Sequence, residues 1–285
     1  MLLRLLASPR LSAPQLDDLV QAGAGEGAVL FSAHDSDLNC STLTAGVEKE
    51  RLNTAVEALA KRLGPQLAAQ RALRFEVLSP QPQETPAAQD LRALAILLHG
   101  ALQAPVYVAS RSVPVAAWAL ARPMPWGRSG LAVAHADAAL PFAQSRCLGI
   151  ALEAGTPTVI LKARLDGIGT ERLTNACSAV GGVESGFAEV AAYPVVSAAD
   201  ATAVAVLEFG DLKRSPVYRA LAVLEIELAR CGARLGETAL LSHLPLPAIL
   251  DVLRTRIGLH VAPAQVLETR LPGTQSRPGV PVSQR

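Results

Sequence analysis

His34-Asp35-Ser36-Asp37-Leu38-Asn39-Cys40-Ser41-Thr42-Leu43-Thr44-Ala45-Gly46 stands between an apolar strand, Ala28 to Phe31, and an amphipathic helix, Val47 to Leu63. Polar groups therefore gather where the chain crosses from one strand to the next, which is where α/β domains tend to hold ligands. A plainer reading is also open. The stretch can be a hairpin whose Asp and Asn side chains bond their own backbone in Asx-turns.

Working outward, Leu2 to Ala7 reads as a strand, and Ser12-Ala13-Pro14 supplies a cap and an early proline for a helix over Gln15 to Ala22. Gly23-Ala24-Gly25-Glu26-Gly27 is read as the turn that ends it. These glycines follow a helix and precede a strand, the reverse of what a pyrophosphate-binding loop needs. Downstream, Leu52, Ala55, Val56, Leu59, Ala60 and Leu63 fall at helical spacing, and Gly64 closes that helix. A strand at Leu73 to Leu78, a proline-rich connection to Pro86, a helix at Asp90 to Leu102 and a strand at Pro105 to Ala109 follow. Strand, helix, strand, strand, helix, strand is the order of a split βαβ, or ferredoxin-like, sheet with helices on one face.

The second half repeats this layout: a strand at Thr158 to Leu165, a helix at Thr170 to Ala179, strands at Gly186 to Tyr193 and Ala201 to Phe209, and a helix from Pro216 to Cys231. A further helix spans Pro245 to Arg256 and stops at Gly258. The expected fold is therefore α/β (α+β): two ferredoxin-like subdomains, residues 1–150 and 151–272, with mixed or antiparallel sheets and helices packed on one face. The tail 273–285, rich in Pro, Gly, Ser and Gln, is expected to be disordered. Between the halves, Trp118 and Trp126 lie near Arg111, Arg122 and Arg128. Such aromatics beside guanidinium groups form either a wall for a flat anion or packing between the halves.

A chain of 285 residues, half of them hydrophobic, can bury a large core. Its net charge of +1, with Lys and Arg scattered, excludes an electrostatic footprint for nucleic acid. The apolar opening Met1 to Ala7 is short, is interrupted by Arg4 and runs into Pro9-Arg10, so it reads as a strand and not a signal peptide. No uninterrupted apolar run approaches the ~18 to 20 residues of a membrane span. Cys40, Cys147, Cys177 and Cys231 are far apart, which gives no support to zinc or a redox pair and points to free thiols in a reducing cytoplasm.

The His34 to Gly46 segment resembles that of glutamate formimidoyltransferases, which reads His-Asp-x-Asp-x-Asn-Arg followed by a Thr-containing strand ending in Gly. Here Cys40 takes the place of the Arg. Phe209-Gly210-Asp211-Leu212-Lys213-Arg214-Ser215-Pro216-Val217-Tyr218 resembles the family's Asp-Phe-x-x-Thr-Pro-Leu-His segment. Gly236 to Leu246 resembles its Gly-Ser-Glu-Leu-Val-Gly-Leu-Val-Pro-Leu motif, and Gln265 to Leu271 its closing strand. Leu6 to Ser12 and Pro105-Val106-Tyr107-Val108 stand where the family has Val-Pro-Asn-Phe-Ser and Pro-Val-Tyr-Leu-Tyr. The departure is that Gly64 to Arg74 lacks the family's His-x-Gly-x-His-Pro-Arg-x-Gly-Ala stretch and contains no histidine.

The resemblance implies a homodimeric protein of one-carbon metabolism and histidine degradation, with tetrahydrofolate as co-substrate; charge, hydropathy and cysteine spacing add the expectation of a cytoplasmic protein with no metal, membrane or nucleic-acid partner. Transfer of a formimino group from formiminoglutamate needs a base titrating near neutrality, a carboxylate near the amidinium, and cations for the ligand's carboxylates. His34 is the candidate acid/base, and Asp35, Asp37, Asn39, Ser41, Arg122, Arg128, Lys162 and Arg164 are the candidate ligand-binding residues. The expected cleft is walled by the Asp35 to Ser41 loop, the Trp118 to Arg128 segment and the strand around Lys162 and Arg164. Without the family histidine, the alternative is an inactive homologue serving as a structural or regulatory dimeric module. A Cys40 nucleophile is disfavoured because the adjoining acids raise a thiol pKa.

Overall fold

The computed structural model describes residues 1–8, 10–64, 72–79, 88–102, 106–110, 150–155, 159–166, 169–181, 187 and 190–257. The first lobe begins with β1 (Leu2–Ser8), α1 (Ala13–Glu26), β2 (Ala28–Asp35), β3 (Cys40–Gly46), α2 (Leu52–Leu63) and β4 (Ala72–Leu78). These strands form an antiparallel block in the order β2-β3-β1-β4, the ferredoxin-like arrangement. After α3 (Ala88–Leu102), β5 (Val106–Ser110) and β6 (Ile150–Gly155) extend the sheet in parallel, with β6 between β4 and β5.

The second lobe runs β7 (Val159–Asp166), α4 (Thr170–Gly181), β8 (Val190–Val196), β9 (Ala203–Phe209), α5 (Val217–Arg230) and β10 (Arg234–Leu240), followed by α6 (Leu246–Ile257). Its antiparallel sheet has the order β10-β7-β9-β8, the same path as the first block. Both lobes are thus ferredoxin-like.

Alternation along the strands explains the layering. Leu3, Leu5 and Ala7 of β1, and Leu73, Phe75 and Val77 of β4, pack with Leu52, Val56, Leu59 and Leu63 of α2 in the first core. In the second core, Leu161, Ala163 and Leu165 of β7 and Ala205, Leu207 and Phe209 of β9 meet Leu173, Val180, Leu224 and Leu228. The opposite faces of the two sheets meet each other. Leu6, Leu38 and Cys40 of the first lobe pack against Ile160, Val204, Val206 and Leu241 of the second.

Charged groups share that inter-sheet layer. Glu76 pairs with Arg4 Nη1 at 2.9 Å and with Arg74 Nη2 at 2.5 Å. Arg74 then donates from Nη1 to Glu208 Oε1 at 2.8 Å and from Nη2 to Oε2 at 3.3 Å, bridging the lobes with a fork. Tyr193 Oη donates to the same Glu208 at 3.2 Å. Burial, reinforced by the Glu208 charge, holds the Tyr193 phenol well above its usual range.

Several sequence expectations are corrected here. Gly23 and Gly25 lie inside α1, which runs to Glu26. The missing side chain at Gly23 brings the helix against Val29 and Leu43 of the sheet, where an added Cβ would stand 3.4 Å from Val29. At Gly27, which leads into β2, an added Cβ would fall 2.2 Å from the Gly46 carbonyl oxygen, so only glycine fits. The helix expected from Val47 starts at Leu52, after a 3₁₀ turn at Lys49–Arg51. β6 and β10 were not expected as strands. The tail 273–285 lies outside the described residues. Among the described residues, no helix is long and apolar enough to cross a membrane.

Candidate functional site

The strand β2 reaches the inter-sheet layer through a bulge. Val29 pairs with Ala45, but Phe31 pairs with Thr44, leaving Leu30 as the extra residue. An extra residue reverses which side chains face which layer. Val29 therefore packs on the helical core, whereas Phe31, Ala33 and Asp35 line a cavity between the lobes. On the other lobe, β10 carries its own bulge between Leu235 and Thr238, and Glu237, Ala239, Leu240 and Leu241 line the same cavity. The space is about 280 Å³, with Lys162 and Arg164 of β7 in its wall.

Two hairpin turns meet at Asp37. In the turn between β2 and β3 the Asp35 side chain bonds its own backbone, Leu38 N donating to Asp35 Oδ1 at 2.9 Å, and Asn39 adopts a left-handed φ of 47°. The turn between β8 and β9 holds Ala201 at φ 60°. Ala198 N donates to the Asp37 carbonyl at 2.7 Å, joining the two turns.

Asp37, 2% exposed, is the hub. Its Oδ2 accepts from Lys162 Nζ at 2.7 Å, and its Oδ1 from Arg164 Nη1 at 2.5 Å and Ser197 Oγ at 2.9 Å. Burial opposes its ionisation, but the hydrogen bonds from Lys162 and Ser197 and the charges of Lys162 and Arg164 outweigh that, so its pKa lies below the ordinary carboxylate value. Burial likewise opposes the Lys162 charge, and its bonds to Asp35 and Asp37 outweigh it, raising the ammonium pKa. Arg164 Nη2 pairs with Asp200 and also reaches Thr202 Oγ1 at 3.2 Å. Asp200 is pulled down most by its bond from Thr202, and also by Arg164.

A group whose folded-state pKa is depressed loses its stabilising effect as pH falls, because the unfolded chain then binds the proton more readily. Wild type is therefore expected to outlast Asp37→Asn in urea at neutral pH. The advantage should be full above about pH 5 and shrink below about pH 4. Urea midpoints of both proteins from pH 7 to pH 3 check this. An advantage that stays constant or grows on acidification contradicts the assignment.

Of the candidate residues, Asp35, Asp37, Lys162 and Arg164 come together on the cavity. Ser41 is turned away: its Oγ accepts from Leu11 N at 2.8 Å and lies 2.8 Å from His34 Nδ1. Asn39 Oδ1 accepts from Arg10 N at 3.3 Å. His34 lines the cavity, but its ring bonds Ser41 and not a neighbouring carboxylate. Arg122, Arg128 and the Trp118 to Arg128 wall lie outside the described residues.

Burial, reinforced by the Asp35 charge, pushes the Cys40 thiol up to about 12, so burial outranks the acids that the sequence suggested. Burial alone pushes Cys177 up to about 12. Neither supplies a thiolate at neutral pH. Among the described residues, no three His, Cys, Asp or Glu side chains are grouped as a metal site requires.

Sequence reasoning missed Glu237, Phe31 and Ser197. His243 packs edge-on against Phe31, with ring centroids 5.6 Å apart, and bonds the backbone of Leu30. Partial desolvation and the Arg4 charge lower its pKa. Ser197 had a findable signal, since it opens the Ser-Ala-Ala-Asp turn between two apolar strands. Compared with known proteins, the sequence matches no protein-family model and no curated protein.

Proposed function

We propose that this chain is a formimidoyltransferase-like binding protein whose cleft takes a small carboxylate-bearing molecule, a folate or a similar anion. One observation carries the reading: Asp35 and Asp37 from a turn of the first lobe and Lys162 and Arg164 from β7 of the second converge on one cavity. Its volume of about 280 Å³ sits at the low edge of small-molecule sites, roughly 300–1,000 Å³. That suits one end of a folate, such as its glutamate, better than the pterin, benzoyl and glutamate groups together.

The reading favours binding over group transfer. Amidinium transfer requires a proton carrier near neutrality, and the only histidine in the Asp35 loop is bonded to Ser41. A structural module is the second reading, supported by the pairing of Lys162 and Arg164 with the protein's own carboxylates.

Isothermal titration with tetrahydrofolate and its formyl and formimino forms separates the two. Saturable heat is expected, with affinity falling at least about tenfold in Lys162→Met, the loss of one charge-assisted hydrogen bond. Silence from all three compounds at millimolar concentration sinks the binding proposal and leaves the module.

A further inference from the structure

We infer that Lys162, Arg164 and Ser197 form a carboxylate cradle in the second lobe, occupied from the opposite lobe by Asp37, so that the β2–β3 turn is an internal competitor for carboxylate ligands of the cleft. This rests on the preceding proposal only in identifying the cleft as a binding site.

The contacts are those by which a free carboxylate would be held. Both oxygens are engaged, one by an ammonium, the other by a guanidinium nitrogen and a hydroxyl. All three donors belong to the second lobe, whereas the acceptor stands on a short turn of the first.

The cradle is also held in place without Asp37. The other terminal nitrogen of Arg164 is anchored by Asp200 and Thr202, and Lys162 has a second partner in Asp35. Thr202 in turn donates from its backbone and hydroxyl to Asp200, at 3.1 and 2.8 Å. Removing the Asp37 carboxylate therefore leaves Lys162 and Arg164 oriented in the cavity wall, and no collapse of the fork is required. Asp37, Lys162 and Arg164 all line that cavity, so a small anion has a route to the vacated position.

Competition sets the affinity. A tethered carboxylate acts at a local concentration on the order of millimolar or more, so a free one must exceed that to displace it. A native ligand would thus exchange with Asp37 and release the turn.

The test compares the thermal unfolding midpoint of the full chain in sodium acetate with that in equimolar sodium chloride, for wild type, Asp37→Ala and Asp37→Ala/Lys162→Met. Asp37→Ala is expected to melt lower than wild type in chloride and to rise saturably with acetate, while wild type does not respond. In the double variant, half-maximal rescue should need at least about tenfold more acetate. Equal response of Asp37→Ala to both salts, or undiminished rescue in the double variant, overturns the cradle.

Should Asp37→Ala not fold in either salt, Asp37→Asn decides. It keeps the side-chain volume and offers a neutral occupant, and acetate should then shift the amide resonances of residues 162, 164 and 197 where wild type shows none. Absence of those shifts overturns the inference. Acetate rescue without folate binding would retain the cradle and remove the formimidoyltransferase-like reading. Folate binding without acetate rescue would do the reverse.

Discussion

Glu208→Ala is expected to lower the unfolding free energy by about 3–5 kcal/mol, the range for removing one partner from a buried ion pair. Arg4, Arg74, Glu76 and Glu208 are none of them more than 3% exposed, and their formal charges cancel. Deleting Glu208 leaves one unit of positive charge between the sheets, where the Arg74 fork has lost its acceptor across the lobes. Tyr193 loses its acceptor as well. The double variant Arg74→Met/Glu208→Leu should recover most of that loss, because removing both charges also removes their desolvation cost. Urea unfolding of the two variants measures this. A loss below about 1 kcal/mol for Glu208→Ala would mean that the pair behaves as though hydrated, like a surface salt bridge.

Phe75→Ala should cost about as much, 3–5 kcal/mol, by a different route. Phe75 is fully buried on β4 and belongs to the core formed with α2 and α3. Its loss combines forfeited apolar transfer with a void that the surrounding core fills only in part. Ile96→Ala on α3, a site 62% exposed, serves as the control and should stay within about 0.5 kcal/mol. Chemical denaturation of both variants checks the pair of values. Equal costs at the two sites would contradict the placement of Phe75 in a close-packed core.

The sheet plan was readable because most elements have strong local signatures. The apolar positions of α2 repeat at helical spacing, and six of its residues are buried where that spacing puts them. β9, Ala-Val-Ala-Val-Leu-Glu-Phe, is apolar but for Glu208 and is buried along its whole length. β6 and β10 carry no such signature. Ile-Ala-Leu-Glu-Ala-Gly suits a helix as well as a strand, and only its place between β4 and β5 decides the matter. Arg-Leu-Gly-Glu-Thr-Ala-Leu is an edge segment of low strand propensity that pairs with β7 through a bulge.

The site shows the same division. Acids in the His34 to Gly46 stretch were conspicuous, and the two-subdomain reading set the strand of Lys162 and Arg164 opposite them. That Asp35 faces the cavity follows from the bulge at Leu30, which no glycine or proline announces. That Asp37 is saturated by donors 125 to 160 positions away is a tertiary fact, which periodicity within a single strand cannot express.

The inner face of the first sheet carries Arg4, Thr42, Thr44, Arg74 and Glu76 among its buried side chains. A ribosome that has delivered the first lobe but not the second therefore exposes a surface that water can solvate, in place of a bare aliphatic one. The early product can wait for its counterpart with little tendency to stick to its neighbours. The ionic layer that bridges the lobes in the finished protein thereby also keeps the half-made one hydrated.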